Sequence, residues 1–204
     1  MARPRSDIQP RIIRAARRRF LKEGIDGASL RGIAKDAGTS IGMLYYYFPK
    51  KDDLFFAVVE EIYAKLLADM TGALEPDAPV EERLRRLYAR VGAVSDTELA
   101  TVQLIVREVL VSPARLKRLV ARFQRGHIPL VFAALADGIG AGRIDASLPP
   151  ALLLLCTLAL GAVPQLLLRA LGREPPFAGL PEGGALSEVL IRVLFRGIGP
   201  KRVA

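Results

Sequence analysis

The stretch "SLRGIAKDAGTSIGMLYYYF", residues 29–48, contains two short helix patterns separated by a glycine turn. Ser29 and Ser40 each precede an apolar run, and serine is a preferred N-cap residue because its hydroxyl accepts a hydrogen bond from a free backbone N–H. Both runs follow helical i, i+3, i+4, i+7 spacing: Leu30, Ile33, Ala34 and Ala37, then Ile41, Leu44, Tyr45 and Phe48. Two short helices around Gly38 form a helix-turn-helix pattern.

The segments on either side of this stretch are predicted to be helical as well. A first helix starts at Ser6 or Asp7, carries one apolar stripe and ends at Gly24, a residue that favours helix termination. Pro49 ends the second run, and a long helix over residues 51–70 begins with two aspartates, which suit the positive end of a helix dipole.

The remaining chain is rich in alanine and leucine, which favour helices. Helical patterns cover residues 80–94, 98–111, 113–138, 150–171 and 186–198, and no period-2 strand of useful length is present. The sequence therefore predicts an all-α fold. It has an N-terminal three-helix domain over residues 1–50, joined by the long helix to a C-terminal helical domain within residues 51–204.

The net charge of +9 is concentrated at the N-terminus. Residues 1–51 contain twelve lysines or arginines against four acidic residues, and residues 52–204 contain eighteen against seventeen. A small basic unit is the footprint of a polyanion-binding protein. On charge alone, a solvated face or a membrane-surface patch is equally compatible.

The composition argues against an enzyme and indicates no cofactor. One histidine and one cysteine give no metal cluster and no nucleophile–base pair, and Cys156 is interpreted as a small buried hydrophobe. "GIGAG", residues 138–142, follows a helix instead of a strand and is interpreted as a loop. No secretory signal is visible, so we expect a cytoplasmic protein.

Residues 12–54, "IIRAARRRFLKEGIDGASLRGIAKDAGTSIGMLYYYFPKKDDL", carry several motifs at fixed offsets. An apolar first helix precedes Ser-x-x-x-Ile-Ala-x-x-Ala-Gly and Ser-x-Gly-x-Leu-Tyr, and Lys51 stands two residues before Asp53-Leu54. This segment resembles the DNA-binding domain of TetR/AcrR-family transcriptional repressors. The resemblance implies a homodimer that binds a near-palindromic double-stranded DNA operator and is released from it by a small, apolar inducer.

The resemblance places a recognition helix at residues 40–47, in the major groove of DNA. It implies that Arg31 contacts a base, that Ser29, Thr39 and Ser40 contact phosphates or cap helices, and that Gly42 lets the backbone approach DNA. Further implied contacts come from Ile41, Met43, Tyr45, Tyr46, Tyr47 and Lys51. Tyr47 stands where many members have histidine, and Ile41 and Met43 where others have polar base readers, so the operator sequence is not predicted.

Each implied contact has a structural alternative. The three tyrosines can place hydroxyls on phosphates without the strong hydration of a charge, but Tyr45 also lies on the apolar stripe and is compatible with the core. The alternative for Arg31 is an ordinary surface arginine.

The C-terminal half implies a dimer interface and an inducer site by the same resemblance. The last two helices would form the interface, and residues 146–168 carry no charge. A membrane span is the alternative for that run, which the prolines within it disfavour. The inducer candidates, each equally compatible with packing or surface roles, are Tyr63, Leu66, Tyr88, Leu104, Arg107, Glu108, Phe123, Gln124, His127 and Gln165. A DNA-binding regulator without a ligand is the alternative function.

Overall fold

The computed structural model describes residues 7–172 and 175–198, and these residues form ten helices and no strand. In chain order the helices are α1 (Ile8–Gly27), α2 (Leu30–Asp36), α3 (Ile41–Tyr47), α4 (Lys51–Ala73), α5 (Val80–Gly92), α6 (Asp96–Val111), α7 (Pro113–Phe123), α8 (His127–Gly140), α9 (Pro150–Leu171) and α10 (Gly183–Ile198). The predicted all-α fold is confirmed.

The chain divides into two compact units. Unit 1 comprises the described residues up to Lys65 together with Asp96–Leu119, and unit 2 comprises Leu66–Ser95 and the described residues from Val120 onward. This division by contacts assigns α6 and most of α7 to unit 1. The functional division at residue 50 stays a prediction.

In unit 1, α1, α2 and α3 pack around one apolar core. Ile12, Phe20, Ile33 and Leu44 are fully buried there. Gly24 has φ +74° and interrupts the helical geometry of α1, so the predicted end of the first helix lies at a kink. The backbone continues in helical form to Gly27.

Unit 2 is built from α5, α8, α9 and α10 around a core of leucine, valine and isoleucine side chains. Arg83 is buried in this core and donates two hydrogen bonds, of 3.0 and 2.8 Å, to the carbonyl of Leu74. Its third contact is an ion pair of 2.7 Å with Asp137. These contacts join the end of α4 to α5 and α8.

The prediction of a single helical segment over residues 113–138 is wrong. The structure ends α7 at Phe123 and begins α8 at His127, with Gly126 at φ −128° and ψ −114° between them. The sequence marks this break by Gly126 and by Pro129. A proline is tolerated in the first turn of α8, where its missing N–H has no helical partner, but not in the interior of a longer helix.

Candidate DNA-reading surface and apolar pocket

Local hydrogen bonds position the helix pair α2 and α3. The hydroxyl of Ser29 accepts from the Gly32 N–H at 3.4 Å, and the hydroxyl of Ser40 accepts from the Met43 N–H at 3.2 Å. Gly38 adopts φ +62° in the turn between them, a conformation that a side chain would disfavour. Both predicted N-caps are therefore present in the structure.

The structure separates the residues of α3 into a buried and an exposed set. Leu44 and Phe48 lie in the core of unit 1, whereas Tyr45 is 50% exposed and Tyr46 is 76% exposed. The ring of Tyr46 meets that of Tyr47 edge to face, with centroids 5.2 Å apart. Tyr45 is thus a surface residue and not a core residue.

The other residues that were predicted to contact DNA differ in their exposure to solvent. Ser29, Arg31, Ser40 and Gly42 are exposed, and Thr39, Ile41, Met43, Tyr47 and Lys51 are half-buried. The ammonium of Lys51 donates to the carbonyl of Asp26 at 2.9 Å. An ammonium has three donors, so this bond leaves Lys51 able to contact a second acceptor.

Several basic residues near α2 and α3 have structural partners. Arg19 donates two hydrogen bonds to the carboxylate of Asp36, at 2.6 and 3.2 Å, and pairs with Glu23. A Cβ on Gly32 would lie 2.7 Å from the Arg19 guanidinium, so the glycine makes room for this pair. Arg11 donates to the carbonyl of Gly38 at 3.0 Å. Part of the N-terminal basic charge therefore fixes α1 against α2 and the turn.

A buried charge network centres on Arg115 in unit 1. Its guanidinium pairs with Glu108 at 2.7 Å, with Asp26 at 2.7 Å and with Asp52 at 3.1 Å, and Arg115 and Glu108 are 7% and 3% exposed. The hydrogen bond from Arg115 lowers the pKa of Asp26, and the same bond is the largest cause that raises the pKa of Arg115. The network connects α6 and α7 to the ends of α1 and α4.

The structure gives two inducer candidates of unit 1, Glu108 and Arg107, roles that differ from those implied by the resemblance. Glu108 is an ion-pair partner of Arg115. The guanidinium of Arg107 lies beside Gly24, whose added Cβ would come within 2.9 Å of it. Both residues belong to unit 1, as do the buried candidates Tyr63 and Leu104.

Unit 2 contains an apolar pocket of about 200 Å³. Two inducer candidates, Tyr88 and His127, line it. The other lining residues are Met70, Leu87, Val91, Val131, Thr157, Leu158, Gly161 and Ala162. A Cβ on Gly161 would overlap the ring of Tyr88, so this glycine sets the position of the phenol.

The remaining candidates in unit 2 lie outside the lining of the apolar pocket. Leu66 is buried, Gln124 is exposed, and the ring of Phe123 packs on that of His127 with centroids 5.1 Å apart. Gln165 donates to the carbonyls of Tyr88 and Gly161, at 2.9 and 2.6 Å, and lines a neighbouring cleft of about 520 Å³.

Sequence reasoning missed Thr157 as a pocket residue. Thr157, Gly161 and Gln165 recur every four residues along α9 and interrupt its leucine-rich surface. That spacing marks the face of α9 that packs into unit 2. The hydroxyl of Tyr88 donates to the carbonyl of Thr157 at 2.8 Å, which fixes α5 against α9.

Burial lowers the pKa of His127, and the nearby positive charge of Arg122 lowers it further. The folded state therefore binds this proton less readily than the unfolded chain does, so stability is expected to fall as the pH drops below the ordinary value of 6.5. Replacing His127 by phenylalanine should reduce the loss of unfolding free energy between pH 7 and pH 5. Urea unfolding at several pH values measures this, and an equal slope in both proteins would contradict it.

The opposite face of α9 is an exposed apolar stripe. It consists of Leu152, Leu155, Cys156, Ala159, Val163 and Leu167. Cys156 is exposed, so the prediction that it is a buried hydrophobe is wrong. Leu155 is 64% exposed and Val163 is 51% exposed, and Val193 of α10 is 53% exposed. The α9 residues span roughly 22 Å at the 1.5 Å rise of a helix. The α9 helix has the length and apolarity of a membrane-crossing helix, but Thr157 and Gln165 place one of its faces in unit 2.

The fold and the exposed α3 surface define a helix-turn-helix DNA-binding regulator. Residues 12–58 match the model of "Bacterial regulatory proteins, tetR family". The chain is 28% identical over 182 residues to the "HTH-type transcriptional regulator UidR" of Escherichia coli (strain K12), covering 85% of this chain and 90% of UidR. It is 26% identical over 140 residues to the "Fatty acid metabolism regulator protein" of Bacillus subtilis (strain 168), covering 67% of this chain and 71% of that protein.

The crystal structure of FadR from Bacillus subtilis, in complex with stearoyl-CoA, has the same fold. Its TM-score is 0.73 at 21% identity, and the match covers 93% of this chain and 98% of FadR. Residues 12–58 carry the DNA-binding domain of the TetR family of transcriptional regulators.

Proposed function

We propose that this protein is a ligand-responsive transcriptional repressor that binds a near-palindromic operator as a homodimer. The observation that carries this proposal is the exposure of Arg31, Tyr45 and Tyr46 on two helices whose opposite faces are buried. A helix pair of this kind can place one short helix in the major groove, where base edges and thymine methyls are accessible. Arg31 is proposed to contact guanine, and the tyrosines to contact phosphates, sugars and methyls.

The exposed stripe on α9 supports the dimer. A contiguous apolar surface of this length is rarely left in contact with water, and in a two-fold interface each stripe would cover the other. The fold places α10 beside α9 in unit 2, so the last two helices would both contribute.

The apolar pocket supports a response to a ligand and disfavours the alternative of a regulator without one, for which a fully packed unit 2 is expected. The relative FadR, crystallised with stearoyl-CoA, has the same fold with a ligand bound. Release from DNA requires that the ligand prefer a conformation in which the two α3 helices are badly placed for DNA. The ligand can weaken DNA binding only by as much as its affinities for the two conformations differ.

Substituting Arg31 by alanine is expected to weaken operator binding by roughly 5- to 150-fold, which corresponds to the loss of one base contact. Fluorescence anisotropy with an operator duplex selected from a random library measures this, against a scrambled duplex. Lys117 is an exposed cation of α7 in the same unit and serves as the control. Equal effects of Arg31→Ala and Lys117→Ala would contradict base reading by α2.

A further inference from the structure

We propose that the apolar pocket of unit 2 recognises an uncharged ligand about the size of one substituted ring, which hydrogen-bonds to the hydroxyl of Thr157. This inference rests on the proposed function, because it names the chemistry of the inducer. It does not depend on the operator sequence or on how DNA is released.

The volume of the pocket limits the size of the ligand. An engineered cavity of about 150 Å³ accommodates benzene, and the apolar pocket measures about 200 Å³. A monocyclic aromatic compound or a short branched chain fits this space. A long acyl thioester such as the stearoyl-CoA bound to FadR is much larger.

The lining excludes a charged ligand. No lysine, arginine, aspartate or glutamate is among the residues that line it. Burial lowers the pKa of His127 and raises the pKa of Tyr88, so both groups are neutral at pH 7. An ionised carboxylate placed there would lose its hydration. Arg122, the positive charge near His127, is not among the residues that line the pocket.

Thr157 supplies the polar contact. Thr157 is 0% exposed, and its Oγ1 atom is buried without a hydrogen-bond partner. A buried hydroxyl that makes no hydrogen bond destabilises the protein, and a ligand hydroxyl in the pocket would satisfy it. The carbonyl of Thr157 already accepts from Tyr88, so the side-chain hydroxyl is the group of Thr157 that can select the ligand.

The test is isothermal titration calorimetry of the full chain with phenol, toluene and benzoate. Phenol and toluene have nearly the same shape, and toluene lacks the hydroxyl. Phenol is expected to bind about tenfold more tightly than toluene, which is the effect of one net hydrogen bond. Benzoate is expected to show no binding.

The Thr157→Val variant keeps the shape of the side chain and removes its hydroxyl. It is expected to bind phenol no more tightly than toluene, because the hydroxyl of phenol would then be buried without a hydrogen-bond partner. It should also keep or raise the midpoint of thermal unfolding, because the unsatisfied hydroxyl is gone. Thr101→Val is the matched control: Thr101 is a buried threonine of unit 1 whose hydroxyl donates to the carbonyl of Thr97 at 3.0 Å. This control should leave the tenfold preference for phenol unchanged.

Three results would overturn the inference: no binding of phenol, benzoate binding as tight as phenol binding, or an unchanged preference for phenol in Thr157→Val. Anisotropy with the operator separates this from the proposed function. If phenol binds as expected and leaves DNA bound, the pocket chemistry stands and ligand-responsive release by it fails. If phenol does not bind but a long acyl compound releases the operator, the proposed function stands and the inference about the pocket fails.

Discussion

Replacing Leu155 by aspartate is expected to convert the proposed dimer to a monomer and to weaken operator binding by about 10²- to 10⁴-fold. Leu155 is 64% exposed within the α9 stripe, so the substitution adds a charge to the surface that a second copy would cover. Binding to two half-sites exceeds binding to one by factors of this size, because the second contact is made within the same complex. Both effects follow from a single isologous interface.

Sedimentation velocity measures the mass of the variant, and anisotropy measures its affinity for the operator. Leu110 of α6, which is 82% exposed, is the matched control. Leu110→Asp should remain a dimer and bind DNA as the unchanged protein does. A dimeric Leu155→Asp protein with full affinity would place the interface elsewhere.

Replacing Arg115 by methionine is expected to destabilise unit 1 by about 3–5 kcal/mol, the typical cost of breaking a buried ion pair. The substitution leaves the carboxylate of Glu108, which is 3% exposed, without its partner at 2.7 Å. Asp26 is largely exposed, so its loss of the same guanidinium should cost little. Most of the effect is therefore expected to come from Glu108.

Chemical denaturation of Arg115→Met and of Arg115→Met combined with Glu108→Gln tests this. The second substitution removes the unpaired charge and should recover a large part of the lost stability. Arg118→Met is the control, because Arg118 is exposed and lies 3.8 Å from Asp53. It should change the free energy of unfolding by less than about 1 kcal/mol. A loss no larger for Arg115→Met than for Arg118→Met would show that the network does not stabilise the unit.

The N-terminal helices were predictable because their signals are local. Ser29 and Ser40 cap helices a few residues long, and Gly38 adopts the positive φ of the turn between them. Helical spacing placed Tyr45 on one apolar stripe with Leu44 and Phe48, and the structure buries Leu44 and Phe48 but not Tyr45. Its 50% exposure depends on what packs against α3, which the spacing does not contain.

The inducer candidates were much harder to predict, because the pocket depends on contacts between distant positions. Tyr88 meets Thr157 across 69 residues of sequence, and Gly161 matters only because that ring lies against it. Arg107 and Glu108 are polar residues on an amphipathic helix, a pattern that fits a ligand site and an ion network equally well. The structure assigns Glu108 to the network around Arg115.

The most direct test of the central claim, that α2 and α3 read DNA sequence as a dimer, is selection of bound duplexes from a random-sequence library. We expect enrichment of one near-palindromic sequence with two half-sites, and loss of that enrichment in the combined Arg31→Ala and Tyr46→Ala protein. Recovery of unrelated sequences, or the same enriched sequence with both residues replaced, would contradict it.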